Sequence, residues 1–392
     1  MHTNVIRDES TFLALQPEWD DVLSASNQDV PFLRHDWLVQ WWRAFGCGEL
    51  AIVTCRDGET GALLGVLPAY RSGVGVVWPA RTLRLLGAGR CGSSDLGAFA
   101  IRTAEEPVLK RLVAAVLDEC GPWDALELRY VRLENPFARL AAARLESRGA
   151  RATVSLKADL FARPHIDLPA SWEEYLLQSL THETRRSVRR CLRRAEEAGA
   201  IVERITTEEA LESSLDEALA IHEVRMREVV SPQFAVTPAQ RMFWHATCRS
   251  LFAEDRLRLS FLVIGGRRVA CECQMRYGDT RYAMWGGFLG EWARLKVSKV
   301  LFCSHLQDAI AEKCTMVDYG LGEISYKASW GAARVERFGT LLAYRTTLHG
   351  QLARVRGAIV ITAQRGIDAA PNGPRQRLWE LAQVARVLLR ST

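Results

Sequence analysis

Three cationic side chains surround the point where an apolar strand pattern gives way to a helical one. The chain has only six lysines among its 392 residues, and Lys296 and Lys299 both fall in this turn together with Arg294. The start of a helix presents N–H groups without intrahelical partners and the positive end of the helix dipole, so it attracts anions. The residue types therefore predict a phosphate-binding turn, with an ordinary cationic surface turn as an alternative of equal weight.

A second basic feature is a predicted helix over Thr181–Gly199. Its arginines recur at i, i+1, i+4, i+5, i+8 and i+9, which places them along one helix side: Arg185, Arg186, Arg189, Arg190, Arg193 and Arg194. One interpretation is a cradle for a polyanion, such as nucleotide phosphates, a tRNA backbone or an acidic peptide. The other is a solvated face whose arginines pair with carboxylates. We favour the second slightly, because no aromatic side chain for base stacking is interleaved with the arginines.

Composition sets the class of molecule that must position these groups. A chain of 392 residues with 48% hydrophobic and 25% charged residues is globular and long enough for two domains. No apolar run approaches the roughly 20 residues of a membrane span, and the N-terminus lacks a secretory signal pattern. The ten cysteines are scattered without a CxxC pair, which predicts reduced thiols, no zinc ribbon, no metal and a cytoplasmic protein.

The second half of the chain has a regular order of elements. A strand at Ala200–Thr206 comes first, and a helix over Thr207–Val229 and a second helix from a Thr237-Pro238 cap to about Ala253 follow it. The predicted elements after them are strands Leu257–Ile264, Arg267–Tyr277 and Thr280–Phe288, helix Ser298–Lys313, strand Thr315–Tyr319, a glycine-bearing loop and strand Phe338–Thr346. This order predicts a mixed sheet of the α/β or α+β class.

The first half repeats that order loosely. Its predicted elements are strand Val5–Arg7, helices Ser10–Ser24 and His35–Phe45, strands Leu50–Arg56, Ala62–Tyr70 and Thr82–Leu86, helix Pro107–Cys120, strand Ala125–Tyr130 and helix Pro136–Arg148. We therefore predict two copies of one fold. The predicted domains are 1–165, linking helices at 166–199, a second domain at 200–348, and a basic tail at 349–392 with a break at Asp368–Pro374 and a helix at Arg375–Leu389.

Several short motifs resemble one known family. They are Trp285-Gly286-Gly287-Phe288, the run from Trp292 to Lys299, Asp318-Tyr319-Gly320-Leu321-Gly322-Glu323, and Tyr326-Lys327-Ala328-Ser329-Trp330-Gly331. With the arginine helix and with Pro31-Phe32-Leu33, Asp36-Trp37 and Trp41-Trp42 in the first half, they resemble the FemAB-like and CelD-like tandem branch of GNAT-fold acyltransferases. The resemblance covers most of residues 30–345. It implies two tandem GNAT-like domains, each with a mixed, mostly antiparallel sheet flanked by helices.

The resemblance also implies a cofactor site. In such enzymes a glycine-bearing loop before the central helix holds the CoA pyrophosphate, and here Ser298 occupies a place where that branch usually has glycine. The implied co-substrate is acyl-CoA or CoA, without a metal. The implied cofactor-binding residues are Trp285, Gly286, Gly287, Phe288, Arg294, Lys296, Val297, Ser298 and Lys299.

Chemistry of acyl transfer to an amine selects the catalytic candidates. The attacking amine must be neutral, which favours a general base, and the oxyanion and thiolate need donors. Glu272 lies in an apolar strand, where burial would raise its pKa, and Glu323 lies in the glycine loop. The resemblance adds Tyr326 as a donor and Lys327 as a holder of a carboxylate or phosphate. We favour Glu323 slightly as the base. The alternatives are an outward-facing Glu272 paired with an arginine, a loop cap for Glu323, and packing of a short helix under Trp330 for Tyr326 and Lys327.

Asp318 and Asp95 complete the candidates as substrate-binding residues. Asp95 follows a glycine-rich segment, for which the resemblance implies a loop whose Asp95 carboxylate binds a substrate ammonium, with a plain turn cluster as an alternative of at least equal weight. The central hypothesis is a cytoplasmic N-acyltransferase that moves an acyl group from acyl-CoA, or a carrier thioester, to an amine of a small molecule or peptide. The alternatives are a FemAB-like transferase using aminoacyl-tRNA and a catalytically degenerate binding scaffold. No DNA partner is expected.

Overall fold

The computed structural model describes residues 1–72, 80–89, 91, 95–147, 151–155, 162–230, 233–320, 327–332 and 334–357. The chain divides into two compact units. Unit 1 comprises residues 1–156 and 338–392, and unit 2 comprises residues 157–337. The predicted break and helix in the C-terminal tail lie outside the described residues.

Unit 1 begins with a strand and helices and continues with strands. Its helices are α1 (Glu9–Ala14), α2 (Gln16–Ser24), α3 (His35–Phe45), α4 (Glu105–Asp118) and α5 (Pro136–Glu146). Its strands are β1 (His2–Ile6), β2 (Glu49–Leu50), β3 (Ile52–Arg56), β4 (Leu63–Leu67), β5 (Ala69–Ser72), β6 (Thr82–Leu85), β7 (Phe99–Ala100), β8 (Ala125–Arg132) and β9 (Arg151–Ser155). Strands β1, β3, β4 and β7 form one antiparallel sheet, and β2, β5, β6 and β8 are neighbours in another, where β6 and β8 are parallel.

Proline explains two differences from the predicted elements of unit 1. The expected helix at Ser10–Ser24 is two helices, because Pro17 stands in the first turn of α2, where a missing N–H is tolerated. The expected strand at Ala62–Tyr70 is likewise split into β4 and β5 at Pro68, which has no N–H for a ladder. Fully buried Trp19 and Trp41 lie in the core of the unit.

Unit 2 contains the longer strands. Its elements are β10 (Ala162–Asp167), α6 (Trp172–Gln178), α7 (His182–Glu197), β11 (Ile201–Arg204), α8 (Glu208–Val229), α9 (Pro238–Ala253), β12 (Leu257–Ile264), β13 (Arg267–Tyr277), β14 (Thr280–Phe288), α10 (Val297–Ala311) and β15 (Met316–Asp318). The strand order is β11-β12-β13-β14-β15-β10. All neighbours are antiparallel except β14 and β15, which are parallel.

A last strand, β16 (Arg334–Tyr344), contributes to both units. Its residues 334–337 pair with β10, and residues 338–344 pair with β8 and β9. The compact units therefore divide the chain at other points than the sequence-based boundaries after residues 165 and 348. The cause is that one strand supplies hydrogen bonds to two sets of partners.

Both units follow the expected order of a strand, helices, antiparallel strands, a central helix and a further strand. The predicted mixed α/β class is confirmed, with helices and mixed sheets in both units. All ten cysteines are free thiols, as expected. Among the described helices, none combines the length and the apolar character that crossing a membrane requires.

The core of unit 2 lies on both sides of α10. One buried cluster joins α10 to α6 and includes Phe302, Leu306, Tyr175 and Trp330. A second cluster joins the start of α10 to the buried side of α7 through Cys191 and Ala195. Burial of a large apolar side chain is worth about 1.5–3 kcal/mol, so these clusters fix the position of the α10 start.

Candidate active site

The strands β14 and β15 separate after a short pairing. They pair over Thr280–Tyr282 and Met316–Asp318, where β15 ends, whereas β14 continues for six more residues to Phe288. One extra residue, Met284, bulges from β14, because the register with β13 shifts at this point. Beyond the last pair, the edge of β14 is no longer paired with β15.

The direction of the backbone groups on this edge follows from the ladder with β13. Leu289 donates its N–H to the carbonyl of Val269 at 2.9 Å, so these two residues form a hydrogen-bonded pair. Gly286 and Glu272 are paired three residues further along the same ladder. In an antiparallel pair, bonded and non-bonded residue pairs alternate. The N–H and C=O of Gly286 therefore point away from β13, toward the side that β15 has left. We call Ala283–Phe288 the open edge.

The open edge leads into the start of α10. After a 3₁₀ turn at Gly290–Leu295, Lys296 takes a left-handed conformation, with φ of 53°, and α10 begins at Val297. No described residue accepts a hydrogen bond from the N–H of Val297 or Ser298. Arg294 and Lys296 are exposed beside these donors. The predicted anion-attracting turn thus has free donors and positive charge together.

Ser298, which the resemblance places where the related branch usually has glycine, does not need a positive φ here. Ser298 lies within α10 in ordinary helical conformation, and the left-handed residue is Lys296, two positions earlier. Lys296 is the single residue between the 3₁₀ turn and α10. Lys299 lies one turn further on, with its Nζ 3.4 Å from the Ser187 hydroxyl of α7 and over the Trp330 ring at 5.1 Å.

A buried ionic cluster stands at the end of β15. The Asp318 carboxylate lies 3.1 Å from Arg163 Nε and accepts a hydrogen bond from the Gly320 N–H at 2.8 Å. Arg163 also donates to Glu336 at 2.6 Å, and the Nε2 of His165 lies 3.1 Å from the same carboxylate. Because these charges are paired, the cluster holds β15, β10 and β16 together at the place where β14 departs.

Lys327 extends this cluster. Its Nζ donates to the carbonyl of Gly320 at 2.8 Å and lies over the Tyr319 ring at 5.3 Å. Burial lowers the pKa of Lys327 to about 8, although the nearby Asp318 carboxylate raises it in part. A buried lysine of this kind exchanges its proton at near-neutral pH.

Glu272 is the other predicted catalytic group with a shifted pKa. It is half-buried on β13, and Gln274 donates its amide to the carboxylate at 2.6 Å. Burial raises the pKa of Glu272 to about 7, whereas the Gln274 hydrogen bond and the Arg281 charge lower it. Its strand partner Ser260 bonds to His305 of α10 at 2.7 Å, so Glu272 faces the α10 side of the sheet.

Comparison with known proteins identifies the fold. The family model described as "Acetyltransferase (GNAT) domain" matches residues 182–328. Residues 182–328 form a GNAT domain. No curated protein matches the chain in sequence.

Solved structures match over most of the chain at low identity. FemX has 12% identity and a TM-score of 0.62, covering 91% of this chain and 99% of that one. A conserved protein of unknown function from Bacteroides thetaiotaomicron has 12% identity and a TM-score of 0.55, covering 87% and 100%. A tandem GNAT protein from the clavulanic acid biosynthesis pathway has 15% identity and a TM-score of 0.47, covering 88% and 98%. At these identities, the likeness to FemX and the Bacteroides protein shows the fold.

The GNAT domain brings most of the predicted site residues together. The open edge carries Trp285, Gly286, Gly287 and Phe288, and the α10 start carries the other predicted cofactor residues. Glu272 is the strand partner of Gly286, and Asp318 is the partner of Tyr282. Glu323 and Tyr326 lie outside the described residues. Among the described residues, no group of three or more His, Cys, Asp or Glu side chains could hold a metal ion.

Asp95 belongs to unit 1. It is fully buried, its carboxylate forms an ion pair with Arg132, and Gln28 donates to its backbone carbonyl at 3.1 Å. A substrate ammonium would have to replace the Arg132 guanidinium. The role of Asp95 in binding substrate stays a prediction.

Sequence reasoning missed His222, which the GNAT domain places at the open edge. Its Nδ1 lies 2.7 Å from the carbonyl oxygen of Gly286, and its ring packs on Trp285 with 5.6 Å between centroids. A histidine beside the apolar stripe of α8 was a visible signal. Its partner lies 64 residues later in the chain, which no local pattern reveals.

Proposed function

We propose that the protein is an N-acyltransferase that moves an acyl group from acyl-CoA, or an acyl-carrier thioester, to an amine of a small molecule or peptide by direct attack. The observation that carries the proposal is the continuity of the open edge of β14 with the α10 start. A strand edge offers hydrogen bonds to the amides of a pantetheine arm, and the helix start offers N–H groups and cations to its phosphates.

Each group of residues has a role in this proposal. The open edge, with Trp285, Gly286, Gly287 and Phe288, holds the thioester arm. The residues that bind the phosphates are Arg294, Lys296, Val297, Ser298 and Lys299. When bound, CoA supplies the activated acyl group as a thioester.

The catalytic candidates supply proton transfer and polar contacts. Glu272 and Glu323 are candidate bases, and Tyr326 and Lys327 are candidate donors to the oxyanion, the sulfur or a substrate anion. Asp318 is a substrate contact, and it also holds the buried cluster at the end of β15. Asp95 is proposed to bind the ammonium of the acceptor before it loses its proton.

A second donor, aminoacyl-tRNA, is favoured by one observation on α7. Arg186, Arg189, Arg190 and Arg194 are exposed, and within the described part of the chain none of them forms an ion pair. Among the described residues, the interpretation of this face as arginines paired with carboxylates applies only to Arg193, which pairs with Glu197 at 3.5 Å. Unpaired arginines on one exposed face suit a phosphate backbone.

Mass spectrometry of the protein as isolated separates the two donors. We expect a co-purified acyl-CoA, and thermal protection of the purified protein by acetyl-CoA. Binding of tRNA that falls steeply with salt, without any protection by acetyl-CoA or CoA, would select the tRNA donor instead. Binding of neither would contradict the transferase function.

A further inference from the structure

We propose that His222 is the general base of the acyl transfer and takes the proton from the attacking amine. This inference rests on the function proposed above. It assigns the proton-accepting role to a residue of α8 in place of the carboxylate candidates.

The position of His222 is fixed by a close approach of α8 to β14. A Cβ added at Gly287 would lie 2.9 Å from the Cα of His222 and 2.9 Å from the carbonyl oxygen of Ile221. Only glycine permits this approach. The backbone of His222 is therefore held directly against the open edge.

The hydrogen bond to Gly286 fixes the tautomer of the ring. The Gly286 carbonyl, which points to the side that β15 has left, can only accept, so Nδ1 of His222 donates to it across 2.7 Å. In the neutral imidazole the lone pair is then on Nε2. No described residue forms a hydrogen bond with Nε2. The ring thus has one nitrogen anchored to the strand edge and the other available as a base.

The surroundings of His222 favour the neutral form. Burial lowers the pKa of its imidazole below the ordinary value, and the Gly286 hydrogen bond and the Glu223 carboxylate oppose this in part. Glu223 is engaged by Arg227 and by the Val236 N–H at 2.8 Å. From the loop before α9 and from α9 itself, aromatic rings face this region: Phe234 packs on His222 and Trp244 on Trp285.

Glu272 is the competing base, and it lies on the other face of the sheet. Cys271 donates to the Ala218 carbonyl of α8, so its neighbour Glu272 points to the α10 side. Glu272 also belongs to β13, one strand inside the open edge. His222 belongs to the α8 face and reaches the edge itself.

The proposed reaction is a direct attack of the amine on the thioester. The amine nitrogen bonds to the thioester carbon while Nε2 of His222 accepts the proton that this nitrogen loses. The tetrahedral intermediate collapses, the C–S bond breaks, and the imidazolium returns the proton to the thiolate. The products are an amide and a thiol, with His222 neutral again.

Turnover of acetyl-CoA, followed as free thiol, tests the role with glucosamine, lysine and a lysine-containing peptide as acceptor probes. His222→Asn keeps a donor near Gly286 but removes the base. We expect kcat to fall about 100-fold or more with KM for acetyl-CoA little changed, because a positioned base contributes roughly 10²–10⁴-fold. Added imidazole should restore part of the activity of His222→Ala.

The matched control is His245→Asn on α9, where the ring pairs with Glu212 and Asp216, and it should leave kcat unchanged.

Nitrogen NMR of histidine-labelled protein tests the tautomer without any ligand. We expect the signals lost in His222→Asn to report a protonated Nδ1 and an unprotonated Nε2 at neutral pH. An Nε2–H tautomer, or retention of wild-type kcat by His222→Asn, would overturn the role of His222 alone. Wild-type protein inactive with every probe would overturn the proposed function, and the role of His222 with it.

Discussion

Glu272 is a carboxyl group whose burial costs stability near neutral pH. Its side chain is half-buried on β13, and burial raises its pKa from the ordinary 4.5 to about 7. The folded protein therefore keeps a proton at pH 6 that the unfolded chain has released.

The raised pKa of Glu272 predicts a pH-dependent stability. Between about pH 4.5 and pH 7 the native state binds more protons than the unfolded state, so the free energy of unfolding falls as pH rises. We expect the wild type to lose about 3 kcal/mol relative to Glu272→Gln across this window, as measured by denaturant unfolding at several pH values. The control is Glu196→Gln, an exposed glutamate of α7. Parallel curves for wild type and Glu272→Gln would contradict the shift.

The sequence predicts Glu272 as a candidate base but not His222, for a physical reason. The raised pKa of Glu272 follows from its place in an apolar strand, which is a local pattern. The role of His222 depends on the contact of α8 with β14 and on the direction of the Gly286 carbonyl. Both are consequences of tertiary packing, which residue spacing along one helix does not contain.

Among the elements, the turn before α10 departs most clearly from an ordinary helix start. Lys296 adopts a left-handed backbone conformation, which costs a residue with a Cβ about 1–2 kcal/mol. A glycine at this position would adopt it freely. The strained residue lies beside the proposed phosphate site, so its side-chain charge is a candidate reason for its presence.

Replacing Lys296 by glycine should therefore stabilise the fold. We expect Lys296→Gly to raise the free energy of unfolding by about 0.5–1 kcal/mol, because relief of strain exceeds the entropy cost of glycine. Lys299→Gly, inside α10, should lower it by about 1 kcal/mol. Urea unfolding of both variants measures the difference. A destabilised Lys296→Gly would show that the left-handed conformation carries no strain.

Turn chemistry explains which elements the sequence predicts well. The strands β12, β13 and β14 have the predicted bounds, because Gly265-Gly266 and Gly278-Asp279 mark their hairpin turns. The last strand was expected at Phe338–Thr346 and instead spans Arg334–Tyr344. Three of the four residues that pair with β10 are charged, so an apolar pattern does not mark this part of the strand.

At the scale of the whole molecule, a small net charge hides two local concentrations of positive charge. The chain carries 51 basic and 46 acidic residues, for a net charge of +5. The exposed arginines of α7 and the cations before α10 both lie in the GNAT domain, where α7 packs on the start of α10. The tandem fold was predictable from the repeated order of elements, whereas the sharing of β16 by two units was not, because strand pairing is nonlocal.

Calorimetric titration with acetyl-CoA tests the central claim most directly. We predict that the wild type binds it at one site and that Lys296→Glu combined with Lys299→Glu weakens binding at least about tenfold, or 1.4 kcal/mol. The control variant carries Lys110→Glu and Lys313→Glu. It makes the same change in net charge at other positions and should bind acetyl-CoA like the wild type. Absence of binding by the wild type, or equal affinity of the two double variants, would contradict an acyl-CoA site at the start of α10.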